Sequence, residues 1–242
     1  MYPSRVKLRC ILPLASLVLL GASSLQAASI YTFDVTGISN SAIIPAAYGN
    51  RISGPSDAAG SYGTTDGIYT PNIAVLYGAV GEDPNLWTTG YGNLTNIFFN
   101  DADNDTTMTI TWTADAGFLV SLLSFDLASF IDAGQTLANP AITVLDGSNN
   151  VLWTQAGPLA VSGATHNSFS PGVTASQLKL VVNLTGLATV SDDIGLDNIT
   201  ISQSADTSGV PEPGTAWLAL GAAGLLWGWK RASGFKKSSL QR

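Results

Sequence analysis

The chain has 242 residues, a formal net charge of −7, one cysteine and one histidine, and only 11% of its residues are charged. Between Ser29 and Ala205 the balance is steeper: 15 Asp and Glu face only Arg51 and Lys179, a net charge of −13. Such a surface excludes nucleic acid and anionic lipid as partners of this region, because both need Lys and Arg to neutralise phosphate; it favours solubility outside the cell and attracts divalent cations.

The first predicted element is a secretory signal peptide over residues 1–27. Arg5, Lys7 and Arg9 make a basic n-region, Cys10 to Leu20 an apolar h-region, and Leu25-Gln26-Ala27 a small-residue cleavage site, so the mature chain is expected to start near Ala28. Export through the Sec machinery and cleavage by signal peptidase follow from that reading. Cys10 lies at the start of the h-region without the small residues that precede a lipidated cysteine. Its loss with the signal leaves no thiol, which excludes disulfides, cysteine nucleophiles and cysteine metal sites from the mature protein.

Residues 28–205 are long enough for one β domain with a full core. Thr107 to Thr113 alternates Thr with Met108, Ile110 and Trp112, which predicts a half-buried strand. Tyr31, Phe33 and Val35 alternate likewise, as do Ile142 with Val144, Val151 with Trp153, and Leu178, Leu180, Val182 with Leu184. Asp146-Gly147, Asn149-Asn150 and Pro171-Gly172 supply turn signals between them, and no stretch shows a convincing helical period. Short strands joined by polar turns predict an antiparallel β-sandwich. Asn40 to Pro71, rich in Gly, Ser, Ala and Tyr, reads instead as a long irregular excursion over it.

Candidate chemistry within the domain is sparse. Asp101, Asp103 and Asp105 interleave with Asn100 and Asn104, but the sixth and twelfth places of an EF-hand loop would fall on Thr106 and Trp112, so a solvated turn is the expectation. His166 sits in a polar loop with no nucleophile-elbow pattern near any serine, which argues against a Ser-His-Asp triad. Glu82 is the only glutamate of the domain, and a pair of carboxylates flanking a cleft is what glycosidase chemistry requires. Trp87 follows Glu-Asp-Pro-Asn-Leu and is expected in a loop; exposed there, it would stack on a sugar ring, as would Tyr77 or Tyr91. Trp112 and Trp153 fall on alternating core faces and are assigned to packing.

Residues 206–209 read as a linker, and residues 210–242 as a separate segment. Pro211-Glu212-Pro213 precedes an uncharged apolar run over 214–229, and Lys230, Arg231, Lys236, Lys237 and Arg242 follow in a basic tail over 230–242. An apolar run ended by Lys and Arg predicts a single membrane helix stopped by cytoplasmic positive charge. At the helical rise it spans about 24 Å against a hydrocarbon core of about 30 Å, so basic side chains must snorkel or the bilayer must thin. Trp217 near one end, with Trp227 and Trp229 near the other, suits the two interfaces. Two prolines keep the Pro-Glu-Pro segment extended, as a protease needs its substrate.

The tail resembles the PEP-CTERM sorting signal of Gram-negative bacteria, which has a Pro-Glu-Pro motif, a short membrane helix and a basic patch in that order. The resemblance covers residues 210–242. It implies export across the inner membrane, transient anchoring by the helix, and recognition of Pro211, Glu212 and Pro213 by an exosortase. That membrane protease then releases or transfers the protein to the cell surface or the surrounding matrix.

Three further stretches, Leu123-Ser-Phe-Asp-Leu127, Ile142-Thr-Val-Leu-Asp-Gly147 and Asp192-Asp-Ile-Gly-Leu-Asp-Asn-Ile-Thr-Ile201, resemble strands of galactose-binding-like jelly rolls. The fold expected is therefore all-β, a jelly-roll-like antiparallel sandwich between a signal peptide and one C-terminal transmembrane helix. Alternation places Asp197 on the face of Ile199 and Ile201, where an unpaired carboxylate costs several kcal/mol. Backbone N–H donors holding a turn would satisfy it. The resemblance implies a second partner, a structural calcium ion held with Asp192 or Asp193. Two functions follow for the domain: a non-catalytic surface or matrix protein that binds exopolysaccharide, through Trp87 for instance, or a small extracellular polysaccharide hydrolase using a carboxylate pair.

Overall fold

Apolar residues at every second position need a partner sheet to bury them, and the computed structural model supplies two. It describes residues 27–35, 37, 39–54, 63–64, 69–101, 104–130 and 134–208. The signal peptide expected over 1–27 lies outside these apart from Ala27. So do Asp103, Pro211, Glu212, Pro213, the apolar run 214–229 and the basic residues Lys230, Arg231, Lys236 and Lys237. Among the described residues no helix is long and apolar enough to cross a membrane.

In chain order the strands are β1 (Ala27–Tyr31), β2 (Ala42–Ile43), β3 (Gly63–Thr64), β4 (Ile73–Tyr77), β5 (Pro84–Trp87), β6 (Ile97–Asn100), β7 (Thr107–Ala114) and β8 (Phe118–Ser129). Then follow β9 (Gln135–Leu137), β10 (Ile142–Asp146), β11 (Val151–Gln155), β12 (Leu159–Val161), β13 (Asn167–Phe169), β14 (Val173–Ala175), β15 (Gln177–Asn183) and β16 (Ile194–Ala205). A 3₁₀ segment, Ala188–Asp193, leads into the last strand.

One sheet runs β13-β8-β16-β6-β5-β2, with β14 beside β8, β1 beside β16, and β3 beyond β1; the other runs β11-β10-β15-β7-β4. A two-stranded β9–β12 sheet stands apart, and every pairing is antiparallel. The core lies between the sheets. Met108, Ile110 and Trp112 of β7, Leu178, Leu180 and Val182 of β15, and Ile142 and Val144 of β10 meet Val120, Leu122, Phe125 and Leu127 of β8, all fully buried. Those of β7, β15 and β10 are the alternating positions expected from the sequence. Trp153 is half-buried on edge strand β11, edge-on to Phe125 and Phe169, while its neighbours Val151 and Leu152 are exposed.

Two expectations need correction. The Tyr31-Phe33-Val35 alternation does not make one strand: β1 ends at Tyr31, and Phe33 adopts φ +52°. That turn still buries both aromatic rings. The 40–71 excursion is not merely laid over the surface, since its described part sends Ile44, Tyr48 and Ile52 into the core. Tyr48 stacks on Phe33 with ring centroids 5.1 Å apart, and its hydroxyl accepts the Phe33 N–H. Arg51 then ties the excursion to the second sheet through a two-pronged ion pair with Asp115.

The two central strands of the first sheet break their period together. Buried core residues sit at Val120 and Leu122 but then at Phe125 and Leu127 on β8, and at Ile194 and Leu196 but then at Ile199 and Ile201 on β16. The register shifts between Asp197 and Thr200 and again before Ile201, and Asn198 has φ +51°. This is a β-bulge, which re-aims side chains on either side of it.

Candidate functional site

The bulge decides where Asp197 points. Upstream of Asn198 the pairing is regular, with Gly195 opposite Ala128 and Asp197 opposite Asp126. Period two then puts Asp197 and Asp126 on the sheet face away from Leu196, not on the face of Ile199 and Ile201 as simple alternation predicted. Asp197 is nonetheless only 4% exposed.

Around this carboxylate pair the structure assembles side chains from distant parts of the sequence. Asp197 accepts the Asn198 N–H at 2.6 Å. Asp126 accepts the Asn198 side-chain amide at 2.9 Å and the Ser168 hydroxyl at 2.7 Å. His166 Nε2 stands 3.8 Å from Asp126, and its Nδ1 bonds the Asn93 side-chain oxygen at 2.8 Å, so that nitrogen carries the proton. Asp34 is hydrogen-bonded by Asn96. Burial, with the like charges of Asp34 and Asp126 adding to it against the Asn198 N–H, raises the Asp197 pKa to about 8. Asp197 is therefore substantially protonated at neutral pH.

Of the two partners foreseen for Asp197, a backbone N–H donor is present in Asn198. The Asp193 side chain accepts the Gln135 amide at 2.9 Å, and the backbone carbonyl of Asp192 accepts the Tyr91 hydroxyl at 2.5 Å. Burial raises the Asp193 pKa, opposed by that amide. Among the described residues no three His, Asp or Glu side chains gather as a metal-binding group. The calcium expectation thus finds neither Asp192 nor Asp193 beside Asp197 in a ligand set.

Trp87 is not a loop residue. It closes strand β5, half-buried, with edge-on contacts to Phe99 and Phe130 at 5.9 and 5.7 Å between ring centroids. Tyr91, Leu94, Ile97, Phe99 and Ala128 complete this second apolar cluster. Tyr77 and Tyr91, expected among the exposed aromatics, are buried at 8% and 3%. Next to Trp87, a dimple of about 10 Å³ lies between Phe33, Ser39, Thr88 and Asn96, room for about one water. A shallower concavity of about 290 Å³ lies along Gln135, Thr136 and Ala160 to Gly163.

The His166 loop is held by a close backbone approach. Gly92 has φ +55°, and a Cβ there would come within 2.5 Å of the Thr165 carbonyl oxygen and 2.8 Å of its carbon. Gly92→Ala is expected to cost about 1–3 kcal/mol and to push the His166 loop outward. A urea midpoint unchanged from the parent would contradict this packing.

Asp126, Asp34 and His166 were not marked as a group by the sequence. Asp126 lies in one of the jelly-roll-like stretches but carries no spacing signal, because its partners come from residues 166, 168 and 198. No family model matches the chain, and no curated protein matches it. Among solved structures it is similar to a chain in the structure of infectious bursal disease virus Gx strain, at 11% identity and a TM-score of 0.21. The match covers 84% of this chain and 55% of that one, so the chain spans about half the length of the viral protein.

Proposed function

We propose that this chain is an exported, non-catalytic protein of the cell surface or extracellular matrix, associated with exopolysaccharide and sorted through its C-terminal segment. The observation that carries the reading is the order of Pro211-Glu212-Pro213, an uncharged run over 214–229, and Lys230, Arg231, Lys236 and Lys237. A signal peptide at the other end, a mature chain without thiols and a domain charge of −13 agree with export from a Gram-negative cell. In this reading Sec and signal peptidase deliver the chain, the helix anchors it briefly in the inner membrane, and an exosortase acts at the Pro-Glu-Pro motif. The sandwich between is a jelly roll of the galactose-binding-like kind, with Trp87, Thr88 and Asn96 the side chains best suited to meet a sugar.

The chemistry of the carboxylate pair favours this over hydrolysis. Asp126 has both oxygens occupied by Ser168 and Asn198, and Asp197 is sealed at 4% exposure, whereas hydrolytic carboxylates must flank open space. Sorting is tested by following the full chain and a Pro211→Ala/Pro213→Ala variant in a host that encodes an exosortase. The parent should lose its tail and reach the surface, and the variant should stay in the membrane fraction with the tail attached. Equal fates for the two would end the sorting reading.

A further inference from the structure

One side of the sandwich is written without acid. All 15 carboxylates of the domain lie outside residues 147–191, the stretch that supplies β11 to β15, and Lys179 is the only Lys or Arg within it. On this side one sheet ends in β11 and the other in β13, with β14 also beside β8. The carboxylates that adjoin it are occupied. Asp146 accepts the Ser148 N–H at 2.8 Å and the Asn150 N–H and amide at 2.9 Å each, and Asp126 is held by Ser168 and Asn198.

β11 is the last strand of its sheet, paired with β10 alone. Every second residue of such an edge turns its N–H and C=O outward, and none of the described hydrogen bonds reaches that outer side of β11. Val151-Leu-Trp-Thr-Gln155 carries no charge and no proline, the usual means of blunting an edge. Its one irregularity, the register shift between Val144 and Leu145, leaves both Val151 and Leu152 at the surface, 61% and 37% exposed. The opposite edge of the same sheet is covered: the Arg51 N–H donates to the Ile73 carbonyl at 2.9 Å, and the Val75 N–H to Asn50 Oδ1 at 3.3 Å.

We propose that two copies of the chain pair through β11, joining their sheets into one across a two-fold axis. The open backbone groups call for an extended strand, and the charge of the domain selects which. An acidic strand is repelled by the −13 domain, and a basic one is drawn to its carboxylates, away from this side. A neutral strand remains, and β11 is one. Turned about an axis at Trp153, it pairs antiparallel with itself, residue 151 opposite 155 and 152 opposite 154, with no carboxylate of either strand facing another. Trp153, packed on Phe125 and Phe169, then meets its counterpart and carries the core across the axis. Because the β4 edge is covered, the assembly closes as a dimer and does not run on as a filament. An interface of one short strand gives a weak dimer, with a dissociation constant on the order of 10–100 μM. The proposal does not depend on the sorting reading.

The test is sedimentation of the full chain in mild detergent over about 1–300 μM, where a monomer–dimer equilibrium in that range is expected. Leu152→Glu, and separately Val151→Glu, should weaken it at least about tenfold, since each adds charge to an edge between two acidic domains. Adding Thr154→Lys to Leu152→Glu sets Glu opposite Lys twice in the proposed register and should return the constant to within about threefold of the parent. Leu76→Glu, on the covered edge strand, should leave it unchanged. Thermal midpoints near the parent's show that the variants fold. A parent that stays monomeric or grows beyond a dimer would overturn the proposal. So would a dimer that survives Leu152→Glu, as one held by the C-terminal apolar run would, or one that Leu76→Glu weakens as much. A double variant no tighter than Leu152→Glu alone would overturn the two-fold pairing of β11.

Discussion

Replacing Trp112 by alanine is expected to destabilise the sandwich by about 3–5 kcal/mol, a fall of roughly 6–20 °C in midpoint for a domain of this size. Trp112 is fully buried at the centre of β7, opposite Leu178 on one side and Val75 on the other. Its indole N–H has no acceptor, so the loss is one of packing and not of a hydrogen bond. Trp112→Phe should therefore cost much less than alanine, because it also removes a buried donor whose desolvation is worth about 1–3 kcal/mol. Denaturant unfolding of both variants is the measurement. A cost below about 1 kcal/mol for alanine would mean that the two sheets do not close on this ring.

The second large effect is on pH dependence. Asp197 has a folded pKa of about 8, far above the 3.8 of a free aspartate. Between those values the folded chain holds a proton that the unfolded chain has lost, so stability falls as pH rises through this window and levels off above it. The integrated loss is on the order of 6 kcal/mol. Burial pushes Asp193 and Asp105 in the same direction. Asp115, lowered by Arg51, and Asp146, lowered by Asn150, act the other way and define the decline in stronger acid. Asp197→Asn keeps the shape of the protonated acid and an acceptor for the Asn198 N–H. It should match the parent near pH 4 and exceed it by a few kcal/mol at pH 8. A difference between the two that does not grow with pH would show that Asp197 is ionised throughout.

Strands that bury one face of a sheet were legible because their period survives unbroken: Met108, Ile110 and Trp112, or Leu178, Leu180 and Val182, lie where alternation puts them. What escaped was set by distant partners. Nothing local announces that Phe33 turns out of its strand, or that Tyr48 in a Gly- and Ser-rich stretch is buried between Phe33 and Tyr77. Asp197 shows both sides of this. Its burial was readable from the apolar residues around it, but its direction was not, since the bulge at Asn198 answers a matching break in β8, 72 residues away. His166 read as a solvated loop residue because Asn93 and Asp126, which hold its ring, are fixed by the fold and not by spacing.

The pairing of β1 with β16 also constrains time. Ala27 lies opposite Gln203 and Tyr31 opposite Ile199, so the opening strand finds its place only against the closing one. Contacts of such long sequence separation pay their loop-closure entropy late, which places the domain among slow folders, on the scale of milliseconds to seconds. A chain synthesised from its N-terminus cannot complete this sheet until nearly the whole domain has emerged from the ribosome. Until then the β16 side of β8 stands as an open edge, and it is in that interval, not in the finished sandwich, that the protein is most exposed to mispairing with its neighbours.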